Sequence, residues 1–141
     1  EKLKLGCPGM LPGHFLELDD RELKEIGFSR QKTAYCRGLA AEIAAGRLDL
    51  DDLSAMGDDE VRAILTGLKG IGPWTAEIYL LMALRRPDAW PVHDLALIVA
   101  LKQAFGLSAS PTVGEFLQRG ESWRPYRAVA ARLLWHFYLR H

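Results

Sequence analysis

Apolar residues recur at helical spacing along almost the whole chain. Ala34, Leu39, Ala40 and Ile43 fall on one side of one segment, and Val61, Ile64, Leu65 and Leu68 on one side of another, the i, i+3, i+4 pattern of an amphipathic helix. Polar residues and glycines punctuate these segments. Asp19 or Asp20 caps a short helix through Lys24 that Gly27 stops, Ser29 caps a longer one ending at Gly46, and Asp58 starts the helix that carries Val61. Between them, Asp49 to Asp52 open a short turn holding Leu50, Leu53 and Met56. Pro73 takes a first-turn position of the next helix, where its missing amide costs nothing. That helix, Trp74 to about Leu84, is apolar on most sides and reads as buried. Residues 86–93 form a loop, a further helix runs from about Asp94 to Phe105, and Thr112 with Glu115 makes a capping box. Pro125 opens the last helix, through Leu139. No segment reads as a strand, so the expected fold is all-α, a bundle of about eight helices.

Composition narrows the class. A chain of 141 residues, 49% of them apolar, suits one domain over 1–141 with one real core. No apolar run reaches the roughly 18 residues of a membrane span, and the N-terminus does not read as a signal peptide. The chain opens on Glu1 and Lys2 without a methionine, which fits a fragment or a processed product. Cys7 and Cys36 form no CxxC pair and have no histidine at ligand spacing. They read as two reduced thiols of a cytosolic protein. An iron–sulfur cluster needs four close ligands and is excluded within this chain.

A net charge of zero argues at first against nucleic acid. The distribution is less neutral: residues 1–61 hold 8 Lys/Arg against 13 Asp/Glu, and residues 62–141 hold 10 against 5. Either one acidic and one basic face or ordinary surface charge accounts for this.

The most specific string is Leu68-Lys69-Gly70-Ile71-Gly72-Pro73-Trp74-Thr75-Ala76, set between two helices over about 58–84. Gly70 and Gly72 can take positive φ and admit a close backbone approach. Amides of the turn and of the following helix start then face outward, which suits an anion, with Lys69 adding charge beside it. A phosphate held by Lys69, Gly70, Ile71, Gly72 and Thr75 would position the protein without reading a base. A plain turn between two helices, with glycines that merely allow the reversal, is the alternative.

Taken together, LKGIGPWTAEIYLL, RPDAWPVHDLAL and WRPYRAVAARLLWHFY, with GFSRQKTAYCRGLA and AAGRLDLDDL upstream, make the chain resemble the helix-hairpin-helix DNA glycosylase superfamily. More narrowly, it is similar to the DNA-3-methyladenine glycosylase II branch. The resemblance implies an all-helical fold, excision of alkylated purines from double-stranded DNA, and a hairpin that holds DNA phosphate. It implies no required cofactor, although a monovalent cation can sit on turn carbonyls, here those of Leu68, Gly70 and Ile71. It also implies a location with cytoplasmic or nuclear DNA. Relatives carry further helices upstream, one with a Gln-rich stretch that wedges into the gap left by the flipped base. No such stretch stands here, so the fold is expected to lack some core cover.

Asp94 falls on the family's catalytic aspartate. Breaking the bond to a purine leaves positive charge on the sugar, which a carboxylate stabilises while orienting or deprotonating water. A simple N-cap is the other reading of Asp94, and the two roles can coexist. His93 replaces the small residue usual before this aspartate, and is read as a loop histidine or as a group that crowds or contacts substrate. Trp74 and Trp135 match pocket tryptophans on which an electron-poor flipped base stacks, with Tyr79 and Trp90 as further candidates. A tyrosine of some relatives would fall at Ile78, which puts that contact in doubt. Trp123 reads as structural, Asp88 as a turn residue, and Arg124 and Arg127 as either DNA contacts or a solvated face. The strand-cutting relatives carry a Schiff-base lysine after the hairpin glycines; Trp74 stands there, so hydrolysis without lyase activity is expected. The alternatives are a non-catalytic helix-hairpin-helix DNA-binding module, an inactive fragment, or a helical bundle without DNA function. The lesion is left open among 3-methyladenine, 7-methylguanine, ethenoadenine and hypoxanthine.

Overall fold

The structure, a computed structural model, describes residues 2–140. Among them are ten α-helices and no strand: α1 (Lys2–Gly6), α2 (Pro12–Glu17), α3 (Asp20–Ile26), α4 (Arg30–Ala44), α5 (Asp52–Ala55), α6 (Asp58–Gly67), α7 (Pro73–Met82), α8 (Leu95–Ala104), α9 (Val113–Glu121) and α10 (Arg127–Tyr138). A 3₁₀ turn, Pro8–Met10, joins α1 to α2. The all-α expectation holds, with two more helices than the pattern predicts. Those two are α1 and α2. Leu11 stands at the N-cap of α2 and donates no side chain to it, so the cap signal was absent there. Elsewhere the caps are made by the residues expected: Asp19 and Glu22 form a capping box, Ser29 accepts from Lys32, and Thr112 and Glu115 form a second box.

The chain gathers into two compact units. One comprises Glu1–Met56 with Leu68–Gly70, the other Gly57–Gly67 with Ile71–His141. In the first, Cys7, Phe15, Leu18, Leu23 and Ala40 form a core against which Leu3, Ile26, Phe28 and Cys36 pack. Phe15 and Phe28 meet with ring centroids 5.7 Å apart. Both cysteines are free thiols, and burial pushes the Cys36 thiol up, a rise that nearby Lys32 moderates.

In the second unit α6 packs on α7 and α8 on α10. Leu80, Leu81, Leu97, Leu101 and Ala131 are fully buried. The loop of residues 86–93 is tied down along its length. Arg86 pairs with Asp58 at 3.2 Å, the Pro87 carbonyl accepts from Ala128 N–H at 2.9 Å, and Asp88 binds two arginines. Trp90 N–H donates to Glu77 Oε2 at 3.0 Å, and the other oxygen of Glu77 accepts from Arg62. Through the Pro87 contact one of the first amides of α10 finds a partner; that helix starts at Arg127 rather than at the expected Pro125.

Trp90 itself is buried, stacked on Phe116 at 4.6 Å and edge-on to Trp123 at 5.5 Å. It lies directly on Gly120: a Cβ built there would stand 2.7 Å from Trp90 Nε1 and 3.0 Å from Cε2. An indole wedged between rings cannot retreat, so Gly120→Ala is expected to destabilise the protein by about 1–3 kcal/mol. Denaturant unfolding checks this, and a midpoint equal to wild type would show the packing there to be looser than described.

On α10 an apolar face is left bare. Val129 and Leu133 are exposed, as are Tyr126 at its N-cap and Phe105 at the end of α8.

The charge asymmetry along the chain does not carry over to the folded units. The first unit holds 9 Lys/Arg and 10 Asp/Glu, the second 9 and 8. Much of the basic excess after residue 61 is also paired, Arg62 with Asp59 and Glu77, Arg86 with Asp58, and Arg124 and Arg127 with Asp88 and Glu121.

Candidate active site

Asp94 stands at the N-cap of α8, and its Oδ1 accepts from Leu97 N–H at 2.9 Å. The rest of its carboxylate is not left to solvent, because the residue is only 7% exposed. Trp74 Nε1 donates to Oδ2 at 2.9 Å and Trp135 Nε1 to Oδ1 at 3.1 Å. Trp74 comes from the first turn of α7, and Trp135 arrives because α10 packs on α8. Three N–H donors from three helices therefore meet on one carboxylate. A buried anion requires such partners, and hydrogen bonds to an ionised group are the strong ones.

The acceptor count gives the site a direction. An ionised carboxylate offers about four lone-pair positions. Oδ1 uses two, for Leu97 and Trp135, whereas Oδ2 uses one, for Trp74. The open position is thus on Oδ2, the atom beside Trp74, and Trp74 is 46% exposed.

The other residues singled out in the sequence fall as follows. Trp74 and Trp135 are brought to Asp94, with their indole planes fixed by the hydrogen bonds they donate to it. Trp90 is not a pocket residue: at 3% exposure, between Phe116 and Trp123, it is core. The loop carrying it turns inward because Glu77 captures its amide. Tyr79 is half-buried on α7, five residues beyond Trp74 and so about 140° further round the helix; Ile78 is half-buried as well. His93 is exposed and holds the left-handed conformation at φ 69°, which histidine tolerates better than most side chains.

Arg124 and Arg127 are both paired with carboxylates, Arg124 at the surface and Arg127 in the interior. Arg127 is buried and binds Asp88 through Nε at 2.8 Å and Nη2 at 2.9 Å, while Arg124 reaches Asp88 Oδ2 at 2.7 Å and Glu121 Oε2 at 2.6 Å. Burial pushes the Asp88 carboxyl up, but the hydrogen bonds and charge of Arg127, helped by Arg124, outweigh it and hold the group below the usual carboxylate range.

In the hairpin, Lys69, Gly70, Gly72 and Thr75 are exposed and Ile71 is half-buried. Only Gly70 takes positive φ, at 95°. Gly72 is ordinary extended backbone at φ −93° and serves as the N-cap of α7 without any side-chain cap. The first amides of that helix therefore have no side-chain partner at the N-cap.

Glu77 was not singled out from the sequence, yet it anchors the loop that leads to Asp94. The signal was there: it is the one charged residue in the otherwise apolar helix PWTAEIYLLM, and a carboxylate in such a setting needs a partner.

Known proteins share this arrangement of helices. A family model described as HhH-GPD superfamily base excision DNA repair protein matches residues 1–125. A DNA-3-methyladenine glycosylase of Bacillus subtilis is 32% identical over 118 residues, covering 84% of this chain and 39% of that protein. Among solved structures, a DNA-3-methyladenine glycosidase of Bacillus halodurans superposes with a TM-score of 0.81 at 30% identity, covering 97% of this chain and 64% of its own. The 3-methyladenine DNA glycosylase Mag1 of Schizosaccharomyces pombe, in complex with abasic DNA, gives 0.83 at 29% identity over 88% of this chain and 61% of its own. The chain spans about half the length of the curated relatives it matches. With a family match over most of its residues and an all-helical fold shared with these structures, this chain belongs to the HhH-GPD superfamily of base excision DNA repair proteins.

Proposed function

We propose that the chain removes alkylated purines such as 3-methyladenine from double-stranded DNA, as a monofunctional N-glycosylase with Asp94 as its catalytic carboxylate. The observation that carries this reading is the carboxylate held by two indoles and a helix N-terminus, with one acceptor position open on Oδ2 beside an exposed tryptophan. The names of the relatives, which are 3-methyladenine glycosylases, support the substrate class.

The chemistry follows from this geometry. A damaged base leaves the stack before it can be cut. An electron-poor alkylated purine gains by lying against the electron-rich face of Trp74, which brings its sugar toward Asp94. As the glycosidic bond lengthens, the sugar becomes positive and the fixed negative charge of Asp94 stabilises it without having to reorganise. The open position on Oδ2 is placed to accept a proton from the attacking water. The bond to the base breaks, water supplies hydroxyl to the sugar carbon, and the base leaves with the bonding electrons.

Lys69 and the hairpin amides of Gly70, Ile71, Gly72 and Thr75 supply the grip on phosphate in this reading. In the same reading, a monovalent cation on the carbonyls of Leu68, Gly70 and Ile71 would add positive charge beside that phosphate.

Trp74 stands where a Schiff-base amine would be needed, so the product is an abasic site in an unbroken strand. A labelled duplex with one alkylated purine tests this: the strand should break only after hot alkali. Breakage without alkali, or a borohydride-trapped protein–DNA adduct, would show a lyase and overturn the monofunctional assignment.

A further inference from the structure

The hairpin turn is exposed at Lys69 and Gly70. Among the described residues, no recorded hydrogen bond starts or ends on Lys69 or Gly70. What meets the turn within the first unit is an aromatic ring. A Cβ built on Gly70 would overlap Tyr35 Cγ and stand 2.5 Å from Cδ2, so the glycine backbone lies directly against the face of the Tyr35 ring. This demand for glycine is separate from the one made by φ 95° at the same residue: even a side chain that tolerated the left-handed conformation would have no room. Tyr35 is half-buried on α4, and its hydroxyl accepts from Gln31 Nε2 one helical turn back, at 3.0 Å.

We propose that Tyr35 is a positioning residue for DNA binding: its ring is the platform that sets the height of Lys69 and Gly70, so that the ammonium and the Gly70 amide meet one DNA phosphate together. The proposal rests on the phosphate-binding reading of the hairpin. An exposed turn samples more than one conformation, and a ligand that selects one of them loses affinity by the fraction not populated. A flat ring against a residue lacking a side chain removes that loss without occupying the amide, which a hydrogen-bonding brace would do. Since a phosphate contact carries no base information, Tyr35 should affect affinity for any duplex and leave lesion preference alone.

The test uses the full chain, as wild type, Tyr35→Leu and Tyr35→Phe. Leucine keeps an apolar group of comparable reach but no flat face; phenylalanine keeps the face and loses the hydroxyl. Each is titrated by fluorescence anisotropy against an undamaged duplex and a duplex with a stable abasic analogue, between about 50 and 200 mM salt. Tyr35→Leu is expected to bind both duplexes about tenfold more weakly, with their affinity ratio unchanged and the slope of log K against log salt shallower by about 1. Tyr35→Phe should restore wild-type affinity within about twofold.

Equal dissociation constants and slopes for Tyr35→Leu and wild type would overturn the proposal. So would a fall in binding stoichiometry at unchanged dissociation constant, because that marks a folding role only. A loss confined to the abasic duplex would overturn it too, since the contact would then lie at the lesion. Should wild type itself bind neither duplex in a salt-dependent way, the hairpin reading fails and the proposal with it; wild-type binding with an unaffected leucine variant sinks the Tyr35 assignment alone.

Discussion

Replacing Asp94 by asparagine is expected to slow base release from alkylated duplex DNA by about 10²–10⁴-fold, with little change in stability or in DNA affinity. Asparagine is as good an N-cap as aspartate, so the hydrogen bond to Leu97 N–H survives. Its carboxamide oxygen still accepts from one indole. What disappears is the negative charge and the second acceptor atom, the one that carries the open position on Oδ2. The substitution therefore separates the two readings of this residue. If Asp94 were only a cap, the variant would release base at the wild-type rate. Single-turnover release rates, measured beside thermal midpoints of the same preparations, decide it.

The second large effect is on stability. Asp88→Ala is expected to cost about 3 kcal/mol, because it strands the buried guanidinium of Arg127. Arg127 is 11% exposed at its side chain and makes two short hydrogen bonds to Asp88, keeping only Glu121 at 3.2 Å when Asp88 is gone. The contact between Arg124 and Asp88 adds little, since Arg124 is half exposed. A double substitution, Asp88→Ala with Arg127→Met, should recover part of the loss, because replacing both partners removes the unpaired buried charge.

The pH dependence has a defined sign. The folded-state pKa of Asp88 lies below its unfolded value. Its contribution is therefore complete above the unfolded value, about 3.9, and is lost as pH falls through the lower folded value. Wild-type stability should decline across that acid window more steeply than that of Asp88→Ala. Urea unfolding at a series of pH values gives both numbers. Parallel curves would mean that this pair contributes nothing specific.

How much of this was legible in the sequence depends on the range of the interaction. Helix starts were legible wherever a polar cap made them, as at Asp19, Ser29 and Thr112, because a cap acts over three residues. At α2 the N-cap is Leu11, which makes no side-chain cap and left no such mark. Gly70 was legible as a turn glycine, but the reason for it is partly Tyr35, thirty-five positions away in sequence and on another helix. Trp90 and Trp74 looked alike as aromatics near the hairpin and the acid. One became core because Glu77 and Phe116 draw its loop inward, while the other stayed at the surface in the first turn of α7. Arg124 and Arg127 could not be told from surface charges, because their partner Asp88 lies more than thirty residues upstream. For the same reason the charge after residue 61 could be read either as a basic face or as ordinary surface charge, whereas Arg62, Arg86, Arg124 and Arg127 are held in pairs with carboxylates. The family likeness did point to Asp94, Trp74 and Trp135. What it did not supply was that both indoles donate to the aspartate itself.

The most direct test of the central claim is the identity of the product. Wild-type protein is incubated with duplex DNA methylated at purines, and the free bases released are separated and quantified by chromatography. The account predicts free 3-methyladenine accumulating in step with abasic sites, with the undamaged strands intact. DNA bound by the folded protein with no base released, at any enzyme excess, would contradict it and leave a DNA-binding module in place of an enzyme.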